Sequence, residues 1–348
     1  MEGTLLFRVD ASPEIGIGHV MRCLALAQAW QDVQGHPIFL MGRESSTLEN
    51  RLKSEGADVF YLSSDPGGKD DAHETAALAC QSSARWVVVD GYHFTGDYQQ
   101  IIKDSGHYLL FMDDYGHAGH YLADVVLNQN IHAQERLYEK REPYTKLLLG
   151  TNYVLLRREF LQWGRVPRDF SEMGRKVLVT LGGGDAGNVT RNVIQALEKV
   201  SVPDMEVGVV VGPENSHQES IMRELDRAPF PSHLWSSASN MVELMAWGDV
   251  VVSAGGSTIW ELAFMGLTGV LLVVADNQRG VAEVMKDQNS FVVLGLENRF
   301  PAQDLARSLE GMMREKQLRQ TMSQKASLLV DGMGTQRVIQ ALLPGVQS

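Results

Sequence analysis

The chain has 348 residues, of which 44% are apolar and 21% are charged, a composition typical of a globular protein. Its 31 Lys and Arg residues stand against 43 Asp and Glu residues, and the net charge of −12 argues against general affinity for nucleic acid or an anionic membrane. It has two cysteines, Cys23 and Cys80, and no apolar run approaching the roughly 18 residues of a membrane span. We therefore expect a cytoplasmic protein without disulfides.

The first half of the chain alternates between β-rich runs and helical patterns. Strands are predicted at 4–10, 37–42, 58–62, 86–90, 108–114 and 124–129. Helices are predicted at 19–34, 45–56, 70–84 and 96–105. Most of these strands are continuous apolar runs without alternation, as is typical of parallel strands buried on both faces. The pattern predicts a doubly wound α/β sheet.

The second half of the chain repeats the same alternation. Strand patterns lie at 176–185, 206–212, 231–237, 249–257, 270–276 and 290–295. Helical patterns lie at 188–200, 216–226, 239–247, 258–266 and 279–288. Since a chain of this length exceeds one ordinary hydrophobic core, two domains are expected.

The domain boundaries follow from composition. We assign 1–150 to an N-terminal Rossmann-like domain, 151–174 to a linker rich in charge, and 175–300 to a C-terminal Rossmann-like domain. Residues 301–348 are predicted to form C-terminal helices that pack back on the N-terminal domain. Because ligands of such sheets bind at the carboxyl ends of the strands, we expect the two parallel sheets to face a central ligand-binding cleft.

Three predicted strand-to-helix junctions are rich in small residues, namely SPEIGIGH (12–19), LGGGDAGN (181–188) and SAGGST (253–258). Backbone amides at a helix N-terminus favour an anion, and glycine allows the ligand to approach closely. None of the three matches a dinucleotide or Walker fingerprint. Each is equally explained as a tight turn needed for packing.

The third junction also carries an acid one turn into its helix. Ser257 and Thr258 either cap the helix or bind phosphate oxygens. Glu261 either closes a capping box with Thr258 or accepts hydrogen bonds from ribose hydroxyls.

The first junction ends in His19, at the predicted start of a helix. A histidine there packs, binds a phosphate or acts as a general base. Arg22, one turn later, either contacts diphosphate oxygens or forms a structural salt bridge. Asp10 and Asp90 end predicted strands, where they either orient a sugar or the histidine or cap a helix.

Seven motifs in a fixed order resemble one family of nucleotide-sugar enzymes. They are RVDASPEIGIGHVMRCLALA (8–27), VVDGYHF (88–94), MDD (112–114), VVLNQN (125–130), VTLGGGDAGNVT (179–190), SAGGSTIWELAFMG (253–266) and VVADNQ (273–278). Together they resemble the PseG family, the UDP-2,4-diacetamido-2,4,6-trideoxy-β-L-altropyranose hydrolases of pseudaminic acid biosynthesis. The resemblance runs to about residue 295 and implies a GT-B-like fold.

The resemblance implies an enzyme in which water removes UDP from a diacetamido-trideoxyhexose, with C–O cleavage and inversion at the anomeric carbon. It places the catalytic residues at His19, Tyr92 and Asn277. The implied substrate-binding residues are Asp10, Gly16, Gly18, Arg22, Gly183, Gly184, Asn188, Gly255, Gly256, Ser257, Thr258, Glu261 and Gln278. It implies a monomer that uses a small-molecule UDP-sugar. We expect no cofactor, no metal and no nucleic-acid or membrane partner.

Other interpretations remain open at the level of sequence. The same donor site suits a GT-B glycosyltransferase, in which a hydroxyl replaces water, or a nucleotide-sugar binding protein without activity. In DDYGHAGH (113–120), Asp113, Asp114, His117 and His120 either bind a metal or satisfy loop amides. Their spacing matches no strong metal signature.

Overall fold

The computed structural model describes residues 3–12, 16–183, 185, 187–212, 215–236, 240–295 and 300–343. The chain folds into two compact units. The first comprises the described residues within Met1–Ser12, His19–Arg158 and Gly332–Ser348, and the second those within Pro13–Gly18 and Glu159–Asp331. Each unit carries one parallel sheet, so the predicted α/β fold with two parallel-sheet domains is confirmed.

The first unit contains a seven-stranded parallel sheet in the order β3-β2-β1-β4-β5-β6-β7. Its strands are β1 (Thr4–Val9), β2 (His36–Met41), β3 (Asp58–Tyr61), β4 (Ala84–Asp90), β5 (Tyr108–Met112), β6 (Val125–Asn128) and β7 (Lys146–Leu149). Its helices are α1 (Gly18–Asp32), α2 (Ser46–Ser54), α3 (Lys69–Gln81) and α4 (Gly96–Asp104), with short 3-10 helices at Glu135–Tyr138 and Thr151–Tyr153.

The central strands β1 and β4 are buried along nearly their whole length, as their uninterrupted apolar runs require. The chain reverses its direction of winding between these two strands, since β2 and β3 lie on one side and β5 to β7 on the other. Such a switch point is the usual ligand site of an open α/β sheet. Strand β7 was not predicted, because its four-residue KLLL run is too short to show a period.

The second unit contains a six-stranded parallel sheet in the order β10-β9-β8-β11-β12-β13. Its strands are β8 (Lys176–Thr180), β9 (Glu206–Val210), β10 (Ser232–Trp235), β11 (Val250–Ala254), β12 (Gly269–Leu272) and β13 (Val292–Leu294). Its helices within this part of the chain are α6 (Val189–Leu197), α7 (Gln218–Leu225), α8 (Met241–Trp247), α9 (Thr258–Phe264) and α10 (Arg279–Asp287), with a 3-10 helix at Asp276–Gln278. The winding reverses between β8 and β11.

The segment assigned to a linker contains helix α5 (Arg158–Trp163) and then two anchored arginines. Arg168 donates to the carbonyl oxygens of Met245 and Gly248 at the end of α8. Arg165 donates to the carbonyl oxygen of Ser327. A cation at the carboxyl end of a helix is favourable there, so this segment is packed within the second unit.

Three helices follow residue 300, namely α11 (Ala302–Arg314), α12 (Lys316–Ser327) and α13 (Gly334–Leu342). The first two lie in the second unit, where Leu305 and Leu309 join the same apolar cluster as Val177. Helix α13 lies in the first unit, where Trp86 Nε1 donates to the carbonyl oxygen of Leu342 at 3.1 Å. Among the described residues, none of the helices combines the length and the apolarity needed to cross a bilayer.

Candidate functional site

The site in the first unit lies at the carboxyl edge of its sheet, where the winding reverses. Val9 at the end of β1 is paired with Asp90 at the end of β4. Helix α1 begins at Gly18, so His19 stands in its first turn, close to the end of β4. The fold therefore brings together the histidine of the first glycine junction and the strand-end aspartate 71 positions later.

His19 and Asp90 form a buried hydrogen-bonded pair. The Nδ1 atom of His19 lies 2.6 Å from Oδ1 of Asp90, and the two residues are 8% and 0% exposed. Burial opposes ionisation of Asp90, yet the charges of Arg22 and His19 and their hydrogen bonds hold its pKa below the ordinary value. Because an ionised carboxylate has no proton to donate, the hydrogen lies on Nδ1. In the neutral ring, Nε2 therefore carries the lone pair that accepts a proton.

Arg22 makes a bidentate hydrogen bond to the Asp90 carboxylate. Its Nε and Nη2 donate to the two Asp90 oxygens at 2.6 Å each, and its Nη1 donates to Oδ1 of Asp114 at 2.8 Å. Such a planar fork fixes the carboxylate in position as well as neutralising it. Of the two roles predicted for Arg22, the salt bridge is the one formed within this unit.

Tyr92 stands beside His19 and is held by Asp114. The two rings are 4.9 Å apart between centroids and meet edge to face at 82°. The Tyr92 hydroxyl donates to Oδ2 of Asp114 at 2.8 Å, and Asn130 Nδ2 donates to Oδ1 of the same carboxylate at 2.7 Å. Two of the three predicted catalytic side chains, His19 and Tyr92, are thus in contact.

The charged groups around His19 are two carboxylates and one guanidinium. Two carboxylates, Asp90 and Asp114, surround one guanidinium, that of Arg22, so the cluster carries a net charge of about −1 before His19 is counted. An imidazolium formed during a reaction would be stabilised by this negative charge, since the site is largely shielded from water. The arrangement is suited to general base catalysis.

Asp10 belongs to a different buried cluster at the end of β1. Its Oδ1 accepts hydrogen bonds from Arg8 Nη1 at 2.7 Å and from the backbone amide of Gly42 at 2.6 Å. Its Oδ2 lies 3.0 Å from Nε2 of His93. Arg8 in turn makes a double hydrogen bond to the buried Asp71. Asp10 therefore has a structural role within this network, and its predicted contact with the substrate stays a prediction.

In the DDYGHAGH segment, which the structure describes in full, Asp113 holds a turn and does not form a metal site with its neighbours. Asp113 accepts the backbone amides of Tyr115 and Gly116 at 2.7 Å each and the Tyr121 hydroxyl at 2.5 Å, so it organises the turn. His117 Nδ1 lies 3.2 Å from Asp113, and His120 pairs with Glu142 at the surface. Within the described ranges, no group of three or more His, Cys, Asp or Glu side chains could hold a metal ion.

The glycine junction after β8 is capped by the chain itself. Asp185 accepts hydrogen bonds from the amides of Val189 at 2.7 Å and Thr190 at 3.0 Å, the first residues of α6. A carboxylate therefore already occupies the anion position at this helix start. Gly183 and Asn188 flank the cap, and Asn188 Nδ2 donates to Ser220. Gly184 lies outside the described residues.

The junction after β11 differs in its N-cap residue, which is Ser257. Ser257 precedes α9 without a capping hydrogen bond from its side chain, and Gly256 is exposed. Gly255 is needed for packing, since a Cβ there would lie 2.9 Å from Cβ of Gln278. Thr258 and Glu261 are the first and fourth residues of α9, so both stand within its first turn. Backbone amides at this helix start favour an anion.

The remaining predicted residues lie on the loops that flank these elements. Gly16 has φ +76°, a conformation that favours glycine, two residues before the start of α1 at Gly18. Asn277 is exposed in the 3-10 helix of the second unit, where Gln278 Oε1 accepts the Val274 amide at 3.0 Å. Contact of these residues with a substrate stays a prediction.

The sequence analysis did not place Asp114 and Asn130 beside the histidine. They follow β5 and β6; β5 lies beside β4, and β6 lies beside β5 on the same side of the sheet. The carboxyl ends of parallel strands share one edge of the sheet. Polar residues that follow consecutive strands could therefore have indicated that these side chains lie near one another. The sequence does not give the strand order, which places those strand ends near Asp90.

These two parallel-sheet units define the GT-B class of α/β fold. The crystal structure of MurG from Acinetobacter baumannii superposes with a TM-score of 0.66 at 17% identity, over 97% of this chain and 98% of that one. At this identity the likeness concerns the fold. Residues 177–338 match the glycosyltransferase family 28 C-terminal domain.

Two relatives carry the resemblance further. The chain is 24% identical over 281 residues to the UDP-2,4-diacetamido-2,4,6-trideoxy-β-L-altropyranose hydrolase of Campylobacter jejuni, covering 80% of this chain and 94% of that protein. It is 25% identical over 276 residues to the uncharacterized protein MJ1062 of Methanocaldococcus jannaschii, over 78% of this chain. The match spans only 55% of the archaeal protein. The resemblance to the PseG hydrolases indicated by the motifs is thereby confirmed.

Proposed function

We propose that this protein hydrolyses a UDP-linked 2,4-diacetamido-2,4,6-trideoxyhexose to UDP and the free sugar. The observation that carries the proposal is the 2.6 Å contact between His19 Nδ1 and Asp90, which leaves Nε2 as the proton acceptor. The similarity to the C. jejuni hydrolase supports the choice of substrate. The place of such a reaction would be the biosynthesis of pseudaminic acid, in the cytoplasm.

In the proposed reaction, His19 acts as the general base. Water attacks the anomeric carbon from the face opposite the leaving group and gives one proton to His19 Nε2. The new O–C bond forms as the bond from carbon to the diphosphate oxygen breaks, so UDP departs with that oxygen and the configuration inverts. The Asp90 carboxylate stabilises the imidazolium, and a positioned base of this kind contributes on the order of 10²–10⁴-fold.

We assign the nucleotide to the junction after β11. The backbone of Gly255 and Gly256 and the hydroxyls of Ser257 and Thr258 would hold the diphosphate, and Glu261 would accept the ribose hydroxyls. The α6 junction is the weaker candidate, because Asp185 already occupies its first amides. Asn277 remains the proposed third catalytic side chain, on the strength of the family resemblance.

A second candidate function is glycosyl transfer from the same donor. It is favoured by the match of residues 177–338 to the glycosyltransferase family 28 C-terminal domain and by the fold shared with MurG. In that case an acceptor hydroxyl would give its proton to His19 in place of water. The two candidates share a donor site and differ in the nucleophile.

Incubation of the UDP-sugar in ¹⁸O-labelled water, without an acceptor, separates these functions. Hydrolysis at carbon puts the label on the free sugar, as read by mass spectrometry, and leaves UDP unlabelled. Label in UDP would mean attack at phosphorus and would refute His19 as the base for attack at carbon. Turnover that appears only after an acceptor is added would establish the transferase instead.

A further inference from the structure

The hydrogen bond between Tyr92 and Asp114 determines which way the tyrosine hydroxyl points. Asp114 accepts three hydrogen bonds, from Arg22 Nη1 at 2.8 Å and Asn130 Nδ2 at 2.7 Å on Oδ1, and from Tyr92 at 2.8 Å on Oδ2. Burial opposes ionisation of Asp114, but the charge of Arg22 and the hydrogen bonds from Arg22 and Tyr92 hold its pKa well below the ordinary value. The carboxylate thus has no proton of its own to give.

The Tyr92 hydroxyl therefore donates its only proton to Asp114. Any further group that hydrogen-bonds to the Tyr92 oxygen must act as the donor. The His19 ring, with its centroid 4.9 Å from that of Tyr92, has its hydrogen on Nδ1 and so presents a second acceptor, Nε2. The Tyr92 oxygen and His19 Nε2, which belong to rings in contact, are thus both acceptors.

We propose that Asp114 is a positioning residue that holds Tyr92 as a hydrogen-bond acceptor, and that the His19 and Tyr92 pair thereby selects water over an alcohol as the nucleophile. A water molecule has two O–H groups and satisfies both acceptors, with its lone pair directed at the anomeric carbon. An alcohol has one O–H, so it leaves one acceptor without a donor. This role rests on the proposed function, because it concerns the nucleophile of that reaction.

The chemical step is balanced for both nucleophiles. With water, one proton passes to His19 Nε2, the other stays hydrogen-bonded to Tyr92, and the oxygen bonds to the anomeric carbon as UDP leaves with the diphosphate oxygen. With methanol, the only hydroxyl proton passes to His19, and the product is the methyl glycoside. The two reactions differ only in the donor offered to Tyr92.

The test is the ratio of free sugar to methyl glycoside formed by the same enzyme in a fixed water–methanol mixture. The ratio does not depend on how much of the enzyme is folded, because both products come from the same active molecules. Loss of one neutral hydrogen bond that only water makes should lower it in Tyr92→Phe by roughly three- to tenfold. Tyr115→Phe removes the hydroxyl of the tyrosine whose ring lies 5.3 Å from that of Tyr92, and serves as the matched control.

Asp114→Asn gives the sharper prediction. Arg22 and Asn130 both donate to the Oδ1 position, so the new amide oxygen must stand there and the new NH₂ group must face Tyr92. The amide then donates to the tyrosine oxygen and turns the Tyr92 proton toward the nucleophile. We expect Asp114→Asn to lower the ratio at least as far as Tyr92→Phe.

The outcomes are distinct. A fall in the ratio in Tyr92→Phe and Asp114→Asn, with Tyr115→Phe at the wild-type value, supports the role. A lower rate in Asp114→Asn with an unchanged ratio would overturn it and leave Asp114 with a structural role alone. If the wild-type protein forms neither product, the proposed hydrolysis fails and this role falls with it.

Discussion

Arg22 and His19, one helical turn apart on α1, share a single oxygen of Asp90. The Nη2 atom of Arg22 and the Nδ1 atom of His19 each lie 2.6 Å from Asp90 Oδ1, and they are 3.1 Å from each other. Since arginine only donates and Nδ1 carries its hydrogen, both groups point their protons at the same acceptor. Arg22 therefore fixes the carboxylate that binds His19, and Arg22 itself cannot act as a base.

Replacement of Asp90 by Asn should reduce hydrolysis on the order of 10²–10⁴-fold. Arg22 and His19 both donate to the Oδ1 position, so the amide oxygen stays there, but the neutral amide no longer supplies the negative charge that stabilises the imidazolium. We expect turnover to approach that of His19→Asn, whereas the UDP affinity, measured by calorimetry, stays near the wild-type value. A loss of UDP affinity in His19→Asn as large as its loss of turnover would make His19 a phosphate ligand.

Replacement of Glu261 by Ala tests the ribose assignment. A charged acceptor for ribose hydroxyls contributes about 1.5–3 kcal/mol, so UDP binding should weaken by roughly 10- to 100-fold. The decisive comparison uses 2′-deoxy-UDP, which the wild-type protein should bind more weakly than UDP and the variant should not distinguish. If Glu261 only closes a capping box with Thr258, the preference for UDP over 2′-deoxy-UDP will be the same in both proteins.

Replacement of Asp185 by Asn isolates the charge at the start of α6. Asn caps a helix as well as Asp and tolerates the φ of +41° at this position, so the melting temperature should change little. With the diphosphate at the α9 junction, we expect the UDP dissociation constant to stay within about twofold. A gain in affinity of tenfold or more would place the phosphates at α6 instead. Asp185→Ala, which removes the cap, should lower stability by about 1–2 kcal/mol.

Stability should fall in acid because the buried carboxylates of the site have lowered pKa values. The pKa is below its ordinary value at Asp90 and Asp114, where burial is outweighed mainly by the charge of Arg22. The unfolded chain then binds more protons than the folded one, so the contribution is present above the unfolded pKa of about 4 and is lost as the pH falls further.

The corresponding measurement is the free energy of unfolding of wild type and Asp114→Asn in urea between pH 3 and pH 7. The wild type should be more stable by about 1–3 kcal/mol near neutral pH, and the difference should shrink below about pH 4. A difference that stays constant with pH would contradict the lowered pKa. Asp58→Asn, at an exposed carboxylate, should differ from wild type by no more than about 0.5 kcal/mol.

The core strands were predictable because their signal is local. The runs that became β1, β4, β8 and β11 are buried on both faces, and an unbroken apolar run reports that directly. His19 was identified from its glycine junction and from family motifs. The short edge strand β7 was missed because four residues carry too little pattern.

The amino-acid sequence alone determined the α/β class, the two sheets and the histidine at the start of α1. Only the tertiary structure decided the partners of His19 and Arg22. Asp90 lies 71 positions after His19, and Asp114 lies 92 positions after Arg22. Apolar periodicity records which face of an element is buried, and it carries no information about which strands become neighbours. The strand order sets that, and it places the carboxyl ends of β1, β4 and β5 at one edge of the sheet, with Asp90, Asp114 and His19 side by side.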